Sequence, residues 1–308
     1  MKPDGILIIG GTGFIGASLA KRLVLSGRPV HVLARHTAEV QNTGAVLHRG
    51  SLDDTNLLHK ILPLCGTVIH AASTTTPGTS AQQPSLEATQ NILPTLRFLE
   101  VLREFENREV LFFSSGGTIY GNPGSTPVSE RHVFSPQSYY GAGKVAIEAF
   151  LLAYQGQGGG NVTILRPSNV YGVGQAFRPG FGVIRTMLEH ALHGTILEIW
   201  GDGEVIRDFI YIDDLVSACA LLLQAGLPAG SFNLGYGQGH SINQVLHTIE
   251  TYCNCKIKVD YLPARQVDVK SIVLNTERLQ TKLSWAPSVS MEQGVKMTWD
   301  SLSKTVRQ

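Results

Sequence analysis

The chain has 308 residues, of which 43% are hydrophobic and 16% are charged, so it can bury a large core and is not a disordered protein. Its 25 basic and 24 acidic side chains leave a formal net charge of +1, which argues against a nucleic-acid or membrane-surface partner. The 4 cysteines are too few and too scattered for a disulfide framework, and their spacing predicts no metal site.

The first apolar run, Ile6 to Ile9, is followed at once by glycines. A signal peptide needs an uninterrupted apolar helix, so this pattern favours a buried strand and a tight turn. No stretch of about 20 apolar residues occurs later in the chain. We therefore expect a cytoplasmic protein without a membrane span.

The segment after this strand carries the spacing G-x-x-G-x-x-G at Gly10, Gly13 and Gly16, and a helical pattern begins at Phe14. The first glycine permits the turn, the second lets the backbone approach a pyrophosphate, and the third allows close packing of helix and sheet. The amides and the positive dipole end of the helix then face the phosphates. A glycine string alone is weak evidence, but its strand–turn–helix context predicts a dinucleotide-binding site.

Short apolar strands continue to alternate with amphipathic helices through the first half of the chain. This order predicts an α/β protein with a Rossmann-type, doubly wound parallel sheet. The predicted strands lie at 6–9, 30–33, 45–47, 67–70, 109–113 and 162–165, and the predicted helices at 14–25, 86–105 and 138–153.

The character of the sequence changes after Asn169. A loop rich in Gly, Pro and aromatic residues, 173–182, is followed by short helices and strands. We therefore predict a dinucleotide-binding domain over 1–168, joined by part of 205–235. A smaller C-terminal substrate-binding lobe is predicted over 169–204 and 236–308.

A Tyr-x-x-x-Lys motif, Tyr140 and Lys144, lies on the helix predicted at 138–153. Residues four apart share one helical face, so the ammonium can lower the pKa of the phenol and make it a base near neutral pH. Tyr139 is off that face.

The glycine spacing and this motif together resemble the short-chain dehydrogenase/reductase superfamily, and the chain is similar to its extended branch of nucleotide-sugar epimerases and dehydratases. The resemblance covers most of the chain, from Gly10 to Pro287. It implies a nicotinamide cofactor and a nucleotide-sugar substrate. It also implies a homodimer that pairs the helices near 90–104 and 138–154, although their exposed faces are not apolar enough to predict this from the residues.

The choice between NAD and NADP rests on the end of the second strand. Ala34 stands where NAD enzymes of this family have an acidic residue, and Arg35 could accept a 2′-phosphate or stack on adenine. Ser51 stands where the family often has Asp. NAD is the expected cofactor, with NADP left open. The resemblance assigns cofactor contacts to Gly10, Gly13, Phe14, Ile15, Gly16, Arg35, Ser51, Leu52, Ala71, Ala72, Asn91, Tyr140, Lys144 and Pro167.

The family's catalytic Ser or Thr falls on Gly116 in this chain. Ser115 or Thr118 would have to supply the hydroxyl, and Ser115 is slightly favoured. Dehydratases of the branch carry an Asp-Glu pair where this chain has Gly117 and Thr118, so dehydration is disfavoured. Tyr120 and His70 are interpreted as structural residues.

Further motifs resemble the substrate contacts of the epimerases. Asn169 and Arg207 would meet phosphate, and Trp200 would pack on uracil. Arg265 and Asp268 would meet phosphate and ribose. Ile272 occupies the family's gate for large 2-substituents and leaves room for N-acetylated sugars.

We therefore predict a UDP-hexose 4-epimerase, with UDP-N-acetylhexosamine a further candidate substrate, acting in polysaccharide precursor synthesis. Tyr140 would be its base, assisted by Lys144 and by Ser115 or Thr118. An NADPH-dependent reductase of a 4-keto nucleotide sugar is the alternative, and Ala34-Arg35 favours it. A non-catalytic NAD(P) sensor is a third hypothesis, against which the intact Tyr and Lys argue.

Overall fold

The computed structural model describes residues 3–36, 44–264 and 269–306. Its strands are β1 (Gly5–Ile9), β2 (Val30–Ala34), β3 (Val46–Arg49), β4 (Cys65–His70), β5 (Glu109–Phe113), β6 (Val162–Pro167), β7 (Asn169–Tyr171), β8 (Leu197–Trp200), β9 (Ile206–Tyr211), β10 (Gly230–Leu234), β11 (Gly239–Ser241), β12 (Val259–Leu262) and β13 (Ser271–Ile272). Its α-helices are α1 (Phe14–Val24), α2 (Thr55–Ile61), α3 (Pro77–Gln82), α4 (Ser85–Glu87), α5 (Leu93–Leu102), α6 (Gly116–Ile119), α7 (Tyr139–Gly156), α8 (Val183–His193), α9 (Ile212–Gln224), α10 (Ile242–Cys253), α11 (Glu277–Leu283) and α12 (Met291–Val306).

The central element is a sheet in which seven of the described strands lie in the order β10-β6-β5-β4-β1-β2-β3. The pairs from β6 through to β3 are all parallel. The strand order reverses between β1 and β4, and ligands of such sheets bind beyond the carboxyl ends of the strands at this switch point. The predicted Rossmann-type α/β fold is confirmed.

The core forms around the strands of this sheet. Every residue of β1 and β2 is buried, because a parallel sheet covered by helices has no solvated face. The helices contribute Leu58 of α2, Phe98 of α5 and Leu151 of α7 to one buried apolar cluster with the strands. The packed sheet and helices of this core hold the segments that carry the glycine turn and the start of α7.

One predicted helix is interrupted. The pattern over 86–105 suggested a continuous helix, whereas the chain forms α4, a π-helical segment (Ala88–Ile92) and then α5. Pro94 has no amide hydrogen to give to the carbonyl of Gln90, so it fits only the first turn of a new helix. The hydroxyl oxygen of Thr74 lies 3.4 Å from that carbonyl oxygen. π-Helical segments are frequent at functional sites.

The chain divides into two compact units. The first comprises 1–115, 138–166 and 216–232, and the second 116–137, 167–215 and 233–308. The predicted boundary after residue 168 lies close to this division, but segment 116–137 belongs to the second unit. Val128 explains the difference, because its amide donates to the carbonyl of Val273 and its carbonyl accepts from Asn275, at 2.8 Å each.

The second unit is built on shorter strands. β9 pairs with β7, β11 and β13, and β8 pairs in parallel with β12. Helix α10 packs against α8 and α12. In the described part of the chain, no helix is both long and apolar enough to cross a membrane.

Candidate active site

The glycine turn between β1 and α1 has the geometry predicted for it. Gly10 has φ of +80°, and a Cβ there would lie 2.7 Å from Cα of Ala72, so no other residue fits. A Cβ on Gly16 would lie 2.3 Å from the carbonyl oxygen of Gly10, which confirms the close helix packing. At Gly13 the nearest protein atom to a built Cβ is 3.4 Å away, so the protein itself does not require glycine there.

This space fits the pyrophosphate of a dinucleotide. Gly13 is the exposed N-cap of α1; it makes no side-chain cap, and the first turn contains no acidic residue. The first-turn amides and the helix dipole therefore favour an external anion. Phe14 and Ile15, also predicted to meet the cofactor, are half-buried in this turn.

Up to residue 36, where the described part of this segment ends, the end of β2 offers no carboxylate to a ribose. Ala34 is buried, with its carbonyl accepting from the amide of Gly50 at 3.0 Å, and Arg35 is exposed. An exposed guanidinium can reach a phosphate or stack on a base. Next to β3, Ser51 and Leu52 are both half-buried.

Three further predicted cofactor residues lie at or just after the carboxyl ends of strands of the central sheet: Ala71 and Ala72 follow β4, and Pro167 ends β6. The amide of Ala71 donates to the carbonyl of Ile9 at 3.0 Å, which holds the segment after β4 beside the glycine turn. Ala72 is the residue that a side chain at Gly10 would strike. Pro167 is the last residue of β6 and belongs to the second unit.

Tyr140 and Lys144 lie one turn apart near the start of α7. The hydroxyl of Ser138 caps this helix by accepting from the amide of Gly141 at 3.1 Å. Lys144 is buried; its Nζ donates to the carbonyl of Phe113 at 2.9 Å and lies 5.7 Å from the ring centroid of Tyr140. Tyr139 is 52% exposed, which agrees with its predicted place off the catalytic face.

The electrostatics of the pair differ from the prediction. Burial, and then the negative charge of Glu87, raise the pKa of Tyr140 to about 12, and hydrogen bonds with Ser115 and Ser73 oppose this rise. Burial lowers the pKa of Lys144 to about 8, against the opposing effects of Glu87 and Glu148. In this structure the expected lowering of the phenol pKa is therefore not seen, because burial and the charge of Glu87 outweigh the two serine hydrogen bonds.

Of the two hydroxyls predicted to assist Tyr140, that of Ser115 forms a side-chain hydrogen bond with the phenol. Thr118 lies on α6 in the second unit. Ser73 is a second hydroxyl partner of Tyr140, and sequence reasoning assigned it no role. Its position directly after Ala71-Ala72, at the carboxyl end of β4, could have suggested one.

Asn91 and Glu87 lie four residues apart and form one buried hydrogen-bond network with Thr75. The amide nitrogen of Asn91 donates to Thr75 Oγ1 at 2.8 Å and to Glu87 Oε2 at 2.9 Å. The hydroxyl of Thr75 donates to Glu87 Oε1. The predicted cofactor role of Asn91 thus coincides with a role in ordering the loop after β4, and Glu87 was missed.

His70 is interpreted correctly as a buried side chain of β4. It is 3% exposed, its Nε2 lies 3.2 Å from Thr95 Oγ1, and burial lowers its pKa to about 3. It is therefore neutral at physiological pH and packs edge-on against Phe98 and Phe112. Tyr120 is buried, and its hydroxyl donates to Asn233 Oδ1 at 2.7 Å.

In the second unit, the predicted substrate residues gather around β9. Asn169 of β7 is paired with Phe209, and its Nδ2 donates to the carbonyl of Asp208 at 2.9 Å. Arg207 is paired with Ile272 of β13. Asp208 stabilises this region by accepting from the amides of Leu274, Tyr236 and Gly237.

Trp200 ends β8, and its side chain is 42% exposed. Ile272 is 2% exposed. Arg265 and Asp268, predicted to meet phosphate and ribose, lie outside the described residues.

Comparison with known proteins tests the resemblance directly. The family model of the NAD dependent epimerase/dehydratase family matches residues 6–235, which is most of the chain. The chain belongs to the NAD dependent epimerase/dehydratase family. Membership confirms the predicted resemblance and the predicted NAD-dependent enzyme class, and the glycine turn described above fits the family's cofactor.

Individual members of the family are similar over the whole chain. UDP-glucose 4-epimerase of Mycolicibacterium smegmatis is 32% identical over 95% of this chain and 96% of its own length. A dTDP-4-dehydro-6-deoxyglucose reductase of Escherichia coli is 30% identical over 99% of this chain and 98% of its own length. The crystal structure of UDP-glucose 4-epimerase from Thermotoga maritima with UDP-glucose superposes with a TM-score of 0.89, at 32% identity, and the match covers 98% of this chain and 99% of that one.

Proposed function

We propose that this protein is a UDP-hexose 4-epimerase that oxidises and re-reduces C4 of the sugar on a retained nicotinamide cofactor. The observation that carries the proposal is the Tyr140 hydroxyl, hydrogen-bonded to Ser115 and one helical turn from the buried Lys144. The epimerases of M. smegmatis and T. maritima, similar over nearly the whole chain, support the same reaction.

In the proposed mechanism Tyr140 accepts the proton of the C4 hydroxyl and returns it to the C4 oxygen when the 4-keto sugar, after rotation, is reduced on its opposite face. Ser115 donates a hydrogen bond to the same oxygen. NAD, when bound, supplies the acceptor and then the donor of the C4 hydride. Lys144 keeps a positive charge near the phenol, and the carbonyl of Phe113 fixes its position. A positive charge favours the phenolate and so supports proton transfer.

We propose that Asn169, Arg207 and Trp200 hold the nucleotide while the sugar turns. A guanidinium binds phosphate oxygens in a bidentate manner. The exposed ring of Trp200 offers a stacking surface for uracil. Arg265 and Asp268 complete this proposal by resemblance. Binding energy remote from C4 can then hold the substrate without resisting its rotation.

We further propose that N-acetylated UDP-hexoses are accepted and that the product serves polysaccharide precursor synthesis. The support is Ile272, which is smaller than the aromatic residue associated with glucose-only epimerases. The strand pairing of Ile272 with Arg207 supports this proposal, because a gate residue would then be adjacent to the residue proposed to bind the diphosphate.

Proton NMR tests the reaction. The purified protein is incubated with UDP-glucose or UDP-N-acetylglucosamine, without added reduced cofactor. Appearance of the C4 epimer is expected, because the hydride returns to the substrate, and the sugar that reacts faster defines the specificity. No epimer from either sugar over several hours would contradict the proposal.

A 4-keto nucleotide-sugar reductase is the second candidate. It is favoured by the E. coli reductase that is similar over 99% of this chain, and by Ala34 and exposed Arg35 at the end of β2. This enzyme would consume one NADPH per turnover. Oxidation of NADPH by a 4-keto nucleotide sugar, with no epimerisation in the NMR experiment, would establish it. Absence of both activities would contradict both candidates.

The homodimer is also a proposal. Leu93 of α5 and Phe150 of α7 are each 43% exposed, on the two helices predicted to pair. Burial of such side chains between copies would stabilise a four-helix interface. Light scattering after size-exclusion chromatography is expected to give twice the chain mass, and a Phe150→Glu variant is expected to be monomeric.

A further inference from the structure

Glu87 is a buried carboxylate that the proposed reaction does not use. It is 6% exposed at the end of α4, where the π-helical segment begins. Its two oxygens accept from Thr75 and Asn91. A buried carboxylate is costly without strong partners, so its presence beside Tyr140 and Lys144 calls for a physical reason.

The carboxylate determines the direction of a chain of hydrogen bonds. An ionised carboxylate only accepts, so both Thr75 and Asn91 must turn a donor toward it. The amide oxygen of Asn91 is then left to accept from Thr74, whose amide lies at 3.0 Å and whose hydroxyl lies at 3.1 Å. Glu87 thereby orders the loop after β4.

This loop presents Ser73 to the catalytic phenol. The hydroxyl of Ser73 donates to the carbonyl of Thr75 at 3.1 Å and forms a side-chain hydrogen bond with Tyr140. The position of Ser73 therefore depends on Thr75, whose hydroxyl donates to Glu87.

Helix α7 has a glycine, Gly143, at the position that faces the carboxylate of Glu87. A Cβ on Gly143 would lie 2.6 Å from Glu87 Oε2 and 3.3 Å from its Cδ. Gly143 is the residue directly before Lys144, inside the Tyr-x-x-x-Lys motif. The absence of a side chain there lets Glu87 lie against the helix backbone between the two catalytic residues.

The charges around the pair identify Glu87 as the carboxylate that acts on both members. Its negative charge raises the pKa of Tyr140 and also that of Lys144. Glu148 on α7 also raises the pKa of Lys144, but it forms a buried ion pair with Arg166 at 2.7 Å. His70 on β4 is neutral near pH 7 because burial lowers its pKa to about 3.

We propose that Glu87 is a positioning residue of the reaction centre. Its carboxylate directs the hydrogen bonds of Thr75 and Asn91 that hold Ser73 against Tyr140, and it places a fixed negative charge beside the Tyr140–Lys144 pair. The proposal rests on the acid–base role proposed above for Tyr140.

The test is the pH dependence of kcat in a Glu87→Gln variant. Loss of the charge lowers the pKa of Tyr140, so the acid limb of the profile is expected to move down by about 0.5–1 pH unit. Loss of one acceptor loosens the loop and is expected to lower kcat by about 10-fold. A purely structural residue would change the rate without moving the limb. An unmoved limb would overturn the proposal.

Two further variants separate charge from geometry. Glu87→Asp keeps the charge but shortens the reach, so the limb should stay while kcat falls. If Glu87 acts through Ser73, the double variant Ser73→Ala/Glu87→Gln should have a kcat only slightly below that of the more impaired single variant. If the two losses of activation free energy are fully additive, Glu87 does not act through Ser73. Thr89→Ala is the matched control, since its hydroxyl bonds the carbonyl of Ser85 on the exposed side, and it should match wild type.

A measurement without turnover keeps this inference separable from the proposed function. In protein labelled with ¹³Cζ-tyrosine, the resonance absent from Tyr140→Phe identifies Tyr140. Its ionisation should begin at lower pH in Glu87→Gln than in wild type. If wild type epimerises no UDP-sugar while this shift is present, the proposed function fails and the role of Glu87 stands. Equal titrations would overturn the role even in an active enzyme.

Discussion

Tyr140 and Lys144 in the first unit are surrounded by fixed partners, whereas Trp200 and Arg207 in the second unit keep part of their side chains open to solvent. The first pair is held by two serine hydroxyls, a backbone carbonyl and a nearby carboxylate. Proton transfer, the role proposed for Tyr140 and Lys144, requires atoms held within a fraction of an ångström, and such fixed partners provide that order. Trp200 and Arg207, proposed to bind the nucleotide, instead need exposed surface that a ligand can cover.

The largest effect is expected from Tyr140→Phe. This change removes the proposed acid–base group and should reduce kcat by about 10²–10⁴-fold, with substrate binding little changed. Steady-state kinetics by NMR or a coupled assay measures it. Tyr139→Phe is the control on the exposed neighbour and should retain full activity. Activity of Tyr140→Phe within threefold of wild type would remove the phenol from the mechanism.

A methyl group at residue 143 tests whether the position of Glu87 beside Tyr140 and Lys144 matters for catalysis. Gly143→Ala leaves Tyr140 and Lys144 intact but displaces Glu87, so we expect kcat to fall by about 10- to 100-fold. The free energy of unfolding should fall by roughly 1–3 kcal/mol from overpacking. Gly156→Ala, at the other end of α7, is the control, because a Cβ there meets no atom within 4 Å. If Gly143→Ala and Gly156→Ala have the same kcat, the position of Glu87 does not matter for catalysis.

The second unit should respond through binding. Arg207→Lys keeps the charge but loses bidentate geometry, so KM for the UDP-sugar is expected to rise by about 10-fold while kcat stays within threefold. Initial rates over a range of substrate concentrations separate the two parameters. A fall in kcat with unchanged KM would instead indicate that Arg207 acts in the chemical step, and the two units would then not differ in this respect.

The last prediction concerns stability alone and no step of catalysis, and it is carried by the buried side chain of His70 in the first unit. The pKa of His70 is lowered to about 3 from 6.5, so the unfolded chain binds one more proton between these values. His70 therefore contributes stability that is present above pH 6.5 and is lost as the pH falls toward 3. Between pH 7 and pH 5 wild type should lose about 2 kcal/mol more than His70→Gln. Urea unfolding at both pH values measures this, and equal losses would show that His70 does not titrate on unfolding.

Local patterns were sufficient for much of the first unit. The glycine spacing at 10–16, the Tyr-x-x-x-Lys spacing and the alternation of strands and helices all predicted what the structure contains. These patterns can be recognised in the sequence because each depends mainly on residues that are close together along the chain. The interruption at Ala88–Ile92 was missed, because the helical pattern there is continuous and only Pro94 marks the break.

The contacts of Ser73 and Glu87 with the Tyr140 site depend on three distant segments meeting, so the sequence offered no signal for Glu87 and, for Ser73, only its position after β4. The loop after β4, the π-helical segment and α7 are brought together by packing around the sheet. The raised pKa of Tyr140 has the same origin: burial and a carboxylate 53 positions earlier in the sequence act together. Likewise, segment 116–137 joins the second unit through hydrogen bonds between Val128 and residues near 273–275.

The sequence by itself determined the α/β class, the glycine turn, the family and the spacing of the Tyr–Lys pair. The steric requirement for glycine and the helical repeat both act between residues that are close in the sequence. The tertiary structure alone decided which hydroxyls meet Tyr140, where a negative charge lies beside it, and which unit each segment joins. Desolvation and charge–charge effects depend on distances in space, and those distances exist only after the chain has packed.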